Sequence, residues 1–250
     1  MKSLAQRAAS RLRRSLGGRN YGRFKGSYPD YDSALAAVGR ERLAGYNHAA
    51  VAPVSYELMC RTELWDYPAL FWLERVLPDT NRIIDAGGHM GTKFRAFSSR
   101  LVFPEGLDWA VCDLPEIVKQ GRAEAEADGL SGISFYAAPE EIPPASVLLA
   151  SGLFQYIDED PGPYLKRFVR QPVHAVINKV ATRDAEEVVT LEQFPGAEIP
   201  YRIRNRQVFE SSLTDAGYTI IDQWEIASLS HTHPAFGKST SRGYYCRLGS

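Results

Sequence analysis

The fold is decided by the stretch Arg82-Ile83-Ile84-Asp85-Ala86-Gly87-Gly88-His89-Met90-Gly91-Thr92. Its apolar first part predicts a buried strand that ends in an acid, and its glycines predict a tight turn that opens a helix. Gly87 and Gly88 have no Cβ, so the chain can turn sharply and a ligand can approach the backbone N–H groups. Gly91 lets the helix pack close to the sheet. The stretch therefore predicts a nucleotide-like ligand at the end of a strand.

The charge of Asp85 narrows the kind of ligand. In dinucleotide-binding turns a pyrophosphate lies over the helix N-terminus, and a carboxylate at the strand end would repel it. S-adenosylmethionine (SAM) fits better, because its methionine end carries an ammonium and a sulfonium. A second acid supports SAM. Asp113 follows the apolar stretch Trp109-Ala110-Val111-Cys112 and lies 22 residues after Gly91, where a second strand would bring a carboxylate to ribose hydroxyls.

Two other interpretations of the turn stay open. The common methyltransferase pattern Asp-x-Gly-x-Gly-x-Gly has a glycine where His89 stands, and Ala86-x-Gly88-x-x-Gly91 also resembles a dinucleotide fingerprint. The glycines can also shape a βα turn in a fold that binds nothing. Because the strand, the helix and the second acid agree, we favour SAM.

Composition bounds the class of protein. With 250 residues, 44% hydrophobic and 24% charged, the chain can bury one core, or one core and a small appendage. A formal net charge of -1 argues against a nucleic-acid binder. Cys60, Cys112 and Cys246 show no C-x-x-C spacing, so we expect neither a disulfide framework nor a thiolate metal site. No secretory segment is evident, and we predict a cytoplasmic protein.

Residues 1–20 form a basic N-terminal arm, since no acid precedes Asp30. Its apolar residues recur every four positions, at Leu4, Ala8, Leu12 and Leu16. A short amphipathic helix of this kind can rest peripherally on an anionic surface such as the inner membrane. An organellar transit peptide and a solvated tail are the alternatives.

The rest of the chain divides into two parts. Residues 21–77 are predicted to form an aromatic-rich helical cap, and residues 78–250 a SAM-binding domain. In the latter we predict strands near 82–86, 107–112, 132–136, 146–151, 173–178, 218–225 and 242–248, and helices near 91–101, 115–128, 160–170 and 205–216. This α/β alternation predicts a Rossmann-like, seven-stranded, mostly parallel sheet. Only a loop, Ala227 to Ser241, joins the last two strands, so we expect them to form an antiparallel edge pair.

Several segments beyond the glycine turn carry a family resemblance. They are Gly26-Ser27-Tyr28-Pro29-Asp30-Tyr31 followed by Ala34 and then Gly45-Tyr46, Leu153-Phe154-Gln155-Tyr156-Ile157, Thr190-Leu191-Glu192-Gln193-Phe194, Pro200-Tyr201-Arg202 and Ser241-Arg242-Gly243-Tyr244-Tyr245. With the turn, they resemble a bacterial family of class I SAM-dependent methyltransferases that are associated with surface polysaccharide and glycoconjugate gene clusters. The resemblance covers about residues 21–248.

The resemblance implies a set of cofactor contacts. Asp85, Gly87, Gly88 and Gly91 would hold the methionine half of SAM, Asp113 the ribose and Leu114 one side of the adenine. Ser151 and Phe154, after the fourth predicted strand, would also face the cofactor. His89 departs from the general class I pattern and narrows the pocket at the amino-acid end.

Transfer to a hydroxyl needs a base, which is usually histidine near neutral pH. His231 and His233, in the predicted loop between the last two strands, are our candidates for the catalytic base. His-x-His spacing also suits a metal, but no third ligand is evident and we predict no metal site.

Substrate contacts are predicted after the fourth strand, at Gln155 and Tyr156, and in the segment from Lys179 to Arg206. The basic residues of that segment can recognise a phosphate or carboxylate, or can belong to an exposed charged insertion. The candidates there are Tyr201, Arg202 and Arg204.

The leading hypothesis is a SAM-dependent methyltransferase that O-methylates a sugar, glycoconjugate or other small molecule. The alternatives are a non-catalytic binding or partner module that keeps the fold, and an NAD-dependent enzyme. The oligomeric state stays open, with a homodimer as one option.

Overall fold

The structure is a computed structural model that describes residues 23–39, 43–44, 47, 56–194, 197–233 and 235–249. The strands are β1 (Phe24–Tyr28), β2 (Leu43–Ala44), β3 (Arg82–Ala86), β4 (Asp108–Cys112), β5 (Ile133–Tyr136), β6 (Val147–Ser151), β7 (His174–Arg183), β8 (Val188–Phe194), β9 (Ala197–Asn205), β10 (Tyr218–His233) and β11 (Gly237–Leu248). The helices are α1 (Tyr31–Ala36), α2 (Tyr56–Met59), α3 (Tyr67–Val76), α4 (Thr92–Phe97), α5 (Pro115–Ala127), α6 (Pro161–Lys166) and α7 (Arg206–Asp215). Short 3₁₀ turns cover Leu64–Asp66, Leu77–Asp79 and Pro139–Glu141.

The central sheet has the order β5-β4-β3-β6-β7-β11-β10. Its first five strands are parallel, and β11 runs antiparallel between β7 and β10. The predicted seven-stranded, mostly parallel sheet with an antiparallel last strand is therefore confirmed. The last two strands do pair, but only β10 lies at the edge, because β11 inserts beside β7.

Side-chain alternation along the strands builds two apolar layers, one on each face of the sheet. Ile84 and Tyr244 point to a core that α6 and α7 cover, whereas Ile83 and Tyr245 point to a core that α3, α4 and α5 cover. The second layer is centred on Trp109, which is fully buried. Helices on both faces of a parallel sheet leave one edge open for ligands, at the carboxyl ends of the strands.

Strands β8 and β9 form an unpredicted addition to this sheet. They are an antiparallel pair between β7 and α7, and β1 joins the outer side of β8. An exposed charged insertion, one of the two interpretations of the segment from Lys179 to Arg206, does not describe these strands, because Thr190, Glu192 and Glu198 are buried there. Each of them has a partner more than 150 residues away, such as Lys25 for Glu198, so local hydropathy gives no sign of burial.

The N-terminal region mixes strand and helix. The described part of the predicted helical cap, residues 21–77, contains β1 as well as α1 and α2, and α3 packs into the core against the central sheet. The division into arm, cap and catalytic domain stays a prediction. The arm of residues 1–20 lies outside the described residues, as does Tyr46.

The predicted loop from Ala227 to Ser241 is wrong, because most of this segment continues the two last strands. β10 runs on to His233 and β11 begins at Gly237, with a register shift between Ile226 and His231. In the described ranges, no helix is both long enough and apolar enough to cross a bilayer.

Candidate active site

A cleft of about 700 Å³ opens at the carboxyl ends of β3, β4, β6 and β7. Parallel strands deliver their final residues to this edge, so groups far apart in sequence meet there. Seven of the predicted site residues line it: Gly87, Asp113, Leu114, Ser151, Gln155, Tyr156 and Tyr201. The structure thus brings the two predicted halves, for cofactor and for acceptor, into one cavity.

The glycine turn at the end of β3 has the geometry that its sequence predicts. Gly87 and Gly91 have φ values of 69° and 76°, in the left-handed region that favours glycine. At Gly88 a Cβ would lie 2.5 Å from the carboxyl carbon of Asp85. His89, where the common pattern has glycine, also adopts a positive φ of 57° and lines the cleft. The turn therefore keeps the cradle shape despite the substitution.

Asp85 lies beneath this turn, with 1% of its surface exposed. Its Oδ2 accepts a hydrogen bond from Trp109 Nε1 at 2.9 Å, whereas its Oδ1 has no partner among the described residues. Burial raises the pKa of Asp85 to about 7, against the Trp109 hydrogen bond and the positive charge of Lys93, which lower it. An unpaired buried carboxylate oxygen is costly, and a cationic group would satisfy it.

Asp113 directly follows β4, and its carboxylate contacts the backbone of the glycine turn and of the turn that begins α5. It accepts hydrogen bonds from His89 N at 2.8 Å and from Leu114 N at 2.7 Å. Burial raises its pKa to about 6, and these two hydrogen bonds oppose the rise. A carboxylate has about four acceptor positions, so lone pairs remain for hydroxyl donors in the cleft.

The other half of the cleft is built on the added strands. Glu192 on β8 is buried and accepts hydrogen bonds from Arg23 Nε at 2.5 Å and from the Tyr156 hydroxyl at 2.7 Å. The Tyr31 hydroxyl donates to the Tyr156 carbonyl oxygen at 3.0 Å. Tyr201 packs edge-on against Tyr156, with 5.3 Å between ring centroids. This half of the cleft is thus lined by aromatic side chains, and its carboxylate, Glu192, is ion-paired with Arg23.

Solved structures with this architecture identify the fold. The chain is similar to the N-terminal domain of EvdMO1, solved with S-adenosylhomocysteine (SAH) bound, with a TM-score of 0.54 and 14% identity over 75% of this chain and 82% of that one. It is also similar to a Burkholderia thailandensis 1,6-didemethyltoxoflavin-N1-methyltransferase, solved with bound 1,6-didemethyltoxoflavin and SAH, with a TM-score of 0.53 and 20% identity over 86% of this chain and 95% of that one. This is the class I SAM-dependent methyltransferase fold.

These likenesses are structural only. No protein-family model matches the chain, and no curated protein matches it. At identities of 14% and 20% the similarity establishes the fold, and the site must be argued from this chain's own residues.

Ser151, the last residue of β6, and Gln155, in the loop after it, present polar atoms to the cleft, whereas Phe154 between them does not. Ser151 Oγ and Gln155 Oε1 are buried without a hydrogen-bond partner among the described residues, and both residues line the cavity. Phe154, predicted to face the cofactor, is instead fully buried in the core against Tyr164 and Phe209. Its side chain therefore supports the loop and lies away from the cleft.

Arg202 and Arg204, predicted to contact substrate, bind the loop after β6. Arg204, 1% exposed, donates to the carbonyl oxygens of Phe154, Ile157 and Glu159 and pairs with Asp160. The Arg202 guanidinium pairs with Glu187 and Asp158. Since their donors are used within the protein, they position the loop that carries Gln155 and Tyr156. Their predicted substrate contact finds no support in this geometry.

His231 and His233 lie on β10 and both point inward, as residues two apart on a strand do. His231 stacks on Phe24 at 4.5 Å, and burial lowers its pKa to about 4. His233 Nδ1 accepts from the Ala235 N–H, and its Nε2 lies 3.4 Å from Thr190 Oγ1. Neither is among the described residues that line the cleft. A catalytic role for them stays a prediction that this placement does not favour.

Lys179 on β7 is a cleft residue that was not singled out from the sequence, as is Glu192 on β8. Lys179 lines the cavity, yet it was grouped with the arginines of the following segment. The available signal was a lysine inside an apolar strand, Ala175-Val176-Ile177-Asn178-Lys179-Val180-Ala181.

Within the described ranges, no group of three or more His, Cys, Asp or Glu side chains is arranged to hold a metal ion.

Proposed function

We propose that this protein is a SAM-dependent methyltransferase that acts on a small-molecule acceptor. The observation that carries the proposal is one cavity that joins the glycine turn and Asp113 to the aromatic half around Tyr156 and Glu192. Methyl transfer is an in-line displacement, so an enzyme mainly has to align two ligands and exclude water. A cleft with two chemically different halves suits that task.

The residues present fit SAM. The unpaired Oδ1 of Asp85 suits the amino-acid ammonium, and the turn of Gly87 and Gly88 leaves room where a Cβ would collide. Asp113 suits the ribose hydroxyls, and Leu114 suits one face of the adenine. When bound, SAM supplies the electrophilic methyl group. NAD fits less well, because its pyrophosphate would lie beside the carboxylate of Asp85.

For the acceptor we propose O-methylation of a sugar, glycoconjugate or other hydroxylated small molecule. The aromatic lining favours an acceptor without strong net charge, and so does Glu192, whose charge is balanced by the ion pair with Arg23 and whose second oxygen accepts from the Tyr156 hydroxyl. The EvdMO1 domain, also solved in the presence of SAH and D-fucose, gives a precedent for a sugar with this fold, at a TM-score of 0.53 and 15% identity. The Burkholderia thailandensis enzyme is an N1-methyltransferase, so nitrogen transfer is the outcome to test against.

Four further predictions belong to this proposal. They are a cytoplasmic location, peripheral contact of the basic arm of residues 1–20 with the inner membrane surface, the absence of a nucleic-acid partner, and a homodimer as the oligomer to test. An association with surface polysaccharide synthesis also stays a prediction.

Calorimetric titration of the purified chain with SAM and SAH tests the cofactor, with NAD as the competing ligand. We expect saturable binding of both adenosyl compounds and none of NAD. Asp85→Asn should weaken the binding of both compounds because it removes the charge that faces their ammonium. Asp113→Asn should weaken it because the ribose hydroxyls lose a charged acceptor. A screen of hydroxylated and nitrogenous acceptors with methyl-labelled SAM then assigns the reaction. Failure of both SAM and SAH to bind would favour the non-catalytic module.

A further inference from the structure

We propose that Lys179 is the catalytic base of the cleft, whose neutral amine takes the proton of the acceptor hydroxyl during methyl transfer. This inference rests on the proposed function and assigns a residue to its chemical step.

The side chain of Lys179 lines the cleft beside Gly152, which follows β6. A Cβ at Gly152 would lie 3.3 Å from Lys179 Nζ and 3.4 Å from Gln155 Nε2, so the amine and this amide both face the same stretch of bare backbone. Asp85 interacts electrostatically with Lys179 from the cofactor side. The amine therefore lies where the two ligands are expected to meet.

A β-bulge directs this side chain. Val180 pairs with Arg242 and Ile177 pairs with Tyr244, so Asn178 and Lys179 together oppose the single residue Gly243. Lys179 has a φ of 61°, which is uncommon for a residue with a side chain. Bulges re-aim side chains next to active sites, and strained backbone persists where the surroundings enforce it.

The surroundings do enforce the bulge. Asn178 Oδ1 accepts from Trp224 Nε1 at 3.0 Å, and Asn178 Nδ2 donates to the Trp65 carbonyl oxygen at 3.0 Å. On the opposite strand, a Cβ at Gly243 would lie 2.1 Å from the Trp224 ring. The Trp224 indole, the Trp65 backbone carbonyl and the bare backbone at Gly243 thus hold the bulge, and with it Lys179, in place.

The electrostatic surroundings make the neutral amine accessible. Burial and the ammonium of Lys93 together lower the pKa of Lys179 to about 8, although the carboxylates of Asp66 and Asp85 oppose the change. Lys93 Nζ is itself held 2.8 Å from both carboxylate oxygens of Asp66. About a tenth of Lys179 is then neutral at pH 7, and a bound sulfonium would increase that share by charge repulsion.

Other titratable groups at the cleft are less suited to take a proton. Burial lowers the pKa of His89 to about 4, so its ring is a weak base. Both carboxylate oxygens of Asp113 accept backbone N–H groups, and both oxygens of Glu192 accept side-chain donors. The pKa of Lys179 lies near operating pH, as does that of Asp85, but we assign the Asp85 carboxylate to the cofactor ammonium, which leaves the Lys179 amine to take the proton.

The acceptor oxygen forms a bond to the methyl carbon, and the electron pair of the broken carbon–sulfur bond stays on sulfur, giving SAH. The hydroxyl proton passes to Lys179 Nζ, which becomes an ammonium and later releases it to solvent. No oxidant or reductant takes part.

Proton release on ligand binding tests this assignment before any acceptor is known. Titrations at pH 8 in two buffers of different ionisation enthalpy give the protons released by SAM and by SAH. Asp85 contributes equally to the proton release with SAM and with SAH, because both ligands carry the same ammonium. The difference in proton release between the two ligands therefore reports the effect of the sulfonium. In wild type we expect about half a proton more for SAM than for SAH. Lys179→Met and Lys179→Arg should abolish that difference, and Lys238→Met, on an exposed surface, should keep it.

The outcomes separate the two proposals. Binding of neither ligand to wild type contradicts the proposed function. Binding with equal proton release for SAM and SAH, or an unchanged difference in Lys179→Met, overturns the role of Lys179 alone. If Lys179→Met fails to fold, Lys179→Arg carries the test, since it keeps the bulk and the charge.

With an acceptor from the screen, both Lys179 variants should lower kcat by about a hundredfold or more while SAH affinity stays within threefold. The acidic limb of the pH–rate profile should disappear in Lys179→Met. Retention of wild-type kcat in either variant would also overturn the assignment.

Discussion

Replacing Asp85 by Asn removes a buried carboxylate while keeping its shape. Burial raises the pKa of this carboxyl to about 7 in the folded protein, against an ordinary value of 3.8. The Asn oxygen can still accept the hydrogen bond that Trp109 Nε1 now donates at 2.9 Å. The packing beneath the glycine turn is therefore kept, and the main change is that no group has to ionise there.

The magnitude follows from the two pKa values. Between about pH 4 and pH 7 the folded state holds a proton that the unfolded chain has lost, so the stability given by the neutral acid is fully present below about pH 4 and is lost as the pH rises through about 7. At about 1.4 kcal/mol per pKa unit, complete ionisation costs about 4 kcal/mol. Of this, about 2–3 kcal/mol is lost between pH 5 and pH 8.

Urea unfolding of wild type and Asp85→Asn from pH 5 to pH 8 measures this directly. The free energy of unfolding of Asp85→Asn minus that of wild type should grow by about 2–3 kcal/mol over the range. Asp79→Asn, at an exposed carboxylate, controls for the loss of one negative charge. Asp85→Asn should also bind SAM and SAH about tenfold or more weakly than wild type does, because a charge-assisted hydrogen bond to the ligand ammonium is lost. A stability difference that does not change with pH would refute the reasoning.

Three further substitutions probe the rest of the site. Gly88→Ala puts a methyl group 2.5 Å from the Asp85 carboxyl carbon, so it should cost about 1–3 kcal/mol in urea unfolding and weaken SAM binding; wild-type values for both would contradict the cradle. Arg204→Met leaves three loop carbonyls and Asp160 without their donor, and should lower the free energy of unfolding by about 3–5 kcal/mol; a loss below 1 kcal/mol would contradict its positioning role. Tyr156→Phe removes the hydroxyl from Glu192 and should cost about 1 kcal/mol with SAM affinity unchanged in calorimetry, whereas a tenfold loss of SAM affinity would place Tyr156 in the cofactor half.

Much of the central sheet could be predicted because its signals are local. The turn at Gly87 and Gly88, the apolar runs of β3 and β4 and the helix that begins at Pro115 each depend on a few consecutive residues. The position of Asp113 in the cleft followed from the same reasoning, since the end of a parallel strand fixes where its last side chain emerges.

The acceptor half could not be predicted in the same way. Glu192 is a charged residue in a strand, and only its contacts with Arg23 and Tyr156, 169 and 36 residues away, allow it to be buried. Arg202 and Arg204 have the composition of a substrate-binding cluster, but the carboxylates and carbonyls of the neighbouring loop use their donors. Their roles depend on which partners the fold supplies.

Local residue patterns suffice for the strand-turn-helix around Asp85, the α/β alternation and the sheet with its antiparallel last strand, because side-chain periodicity and glycine conformation act within a few residues. The three-dimensional arrangement is needed to show that β8 and β9 complete the cleft, that His231 and His233 pack beside Phe24 and Thr190, and that a bulge opposite Gly243 turns Lys179 into the cleft. Those outcomes depend on strand register and on the pairing of buried polar groups across the chain, and neither leaves a pattern in neighbouring residues.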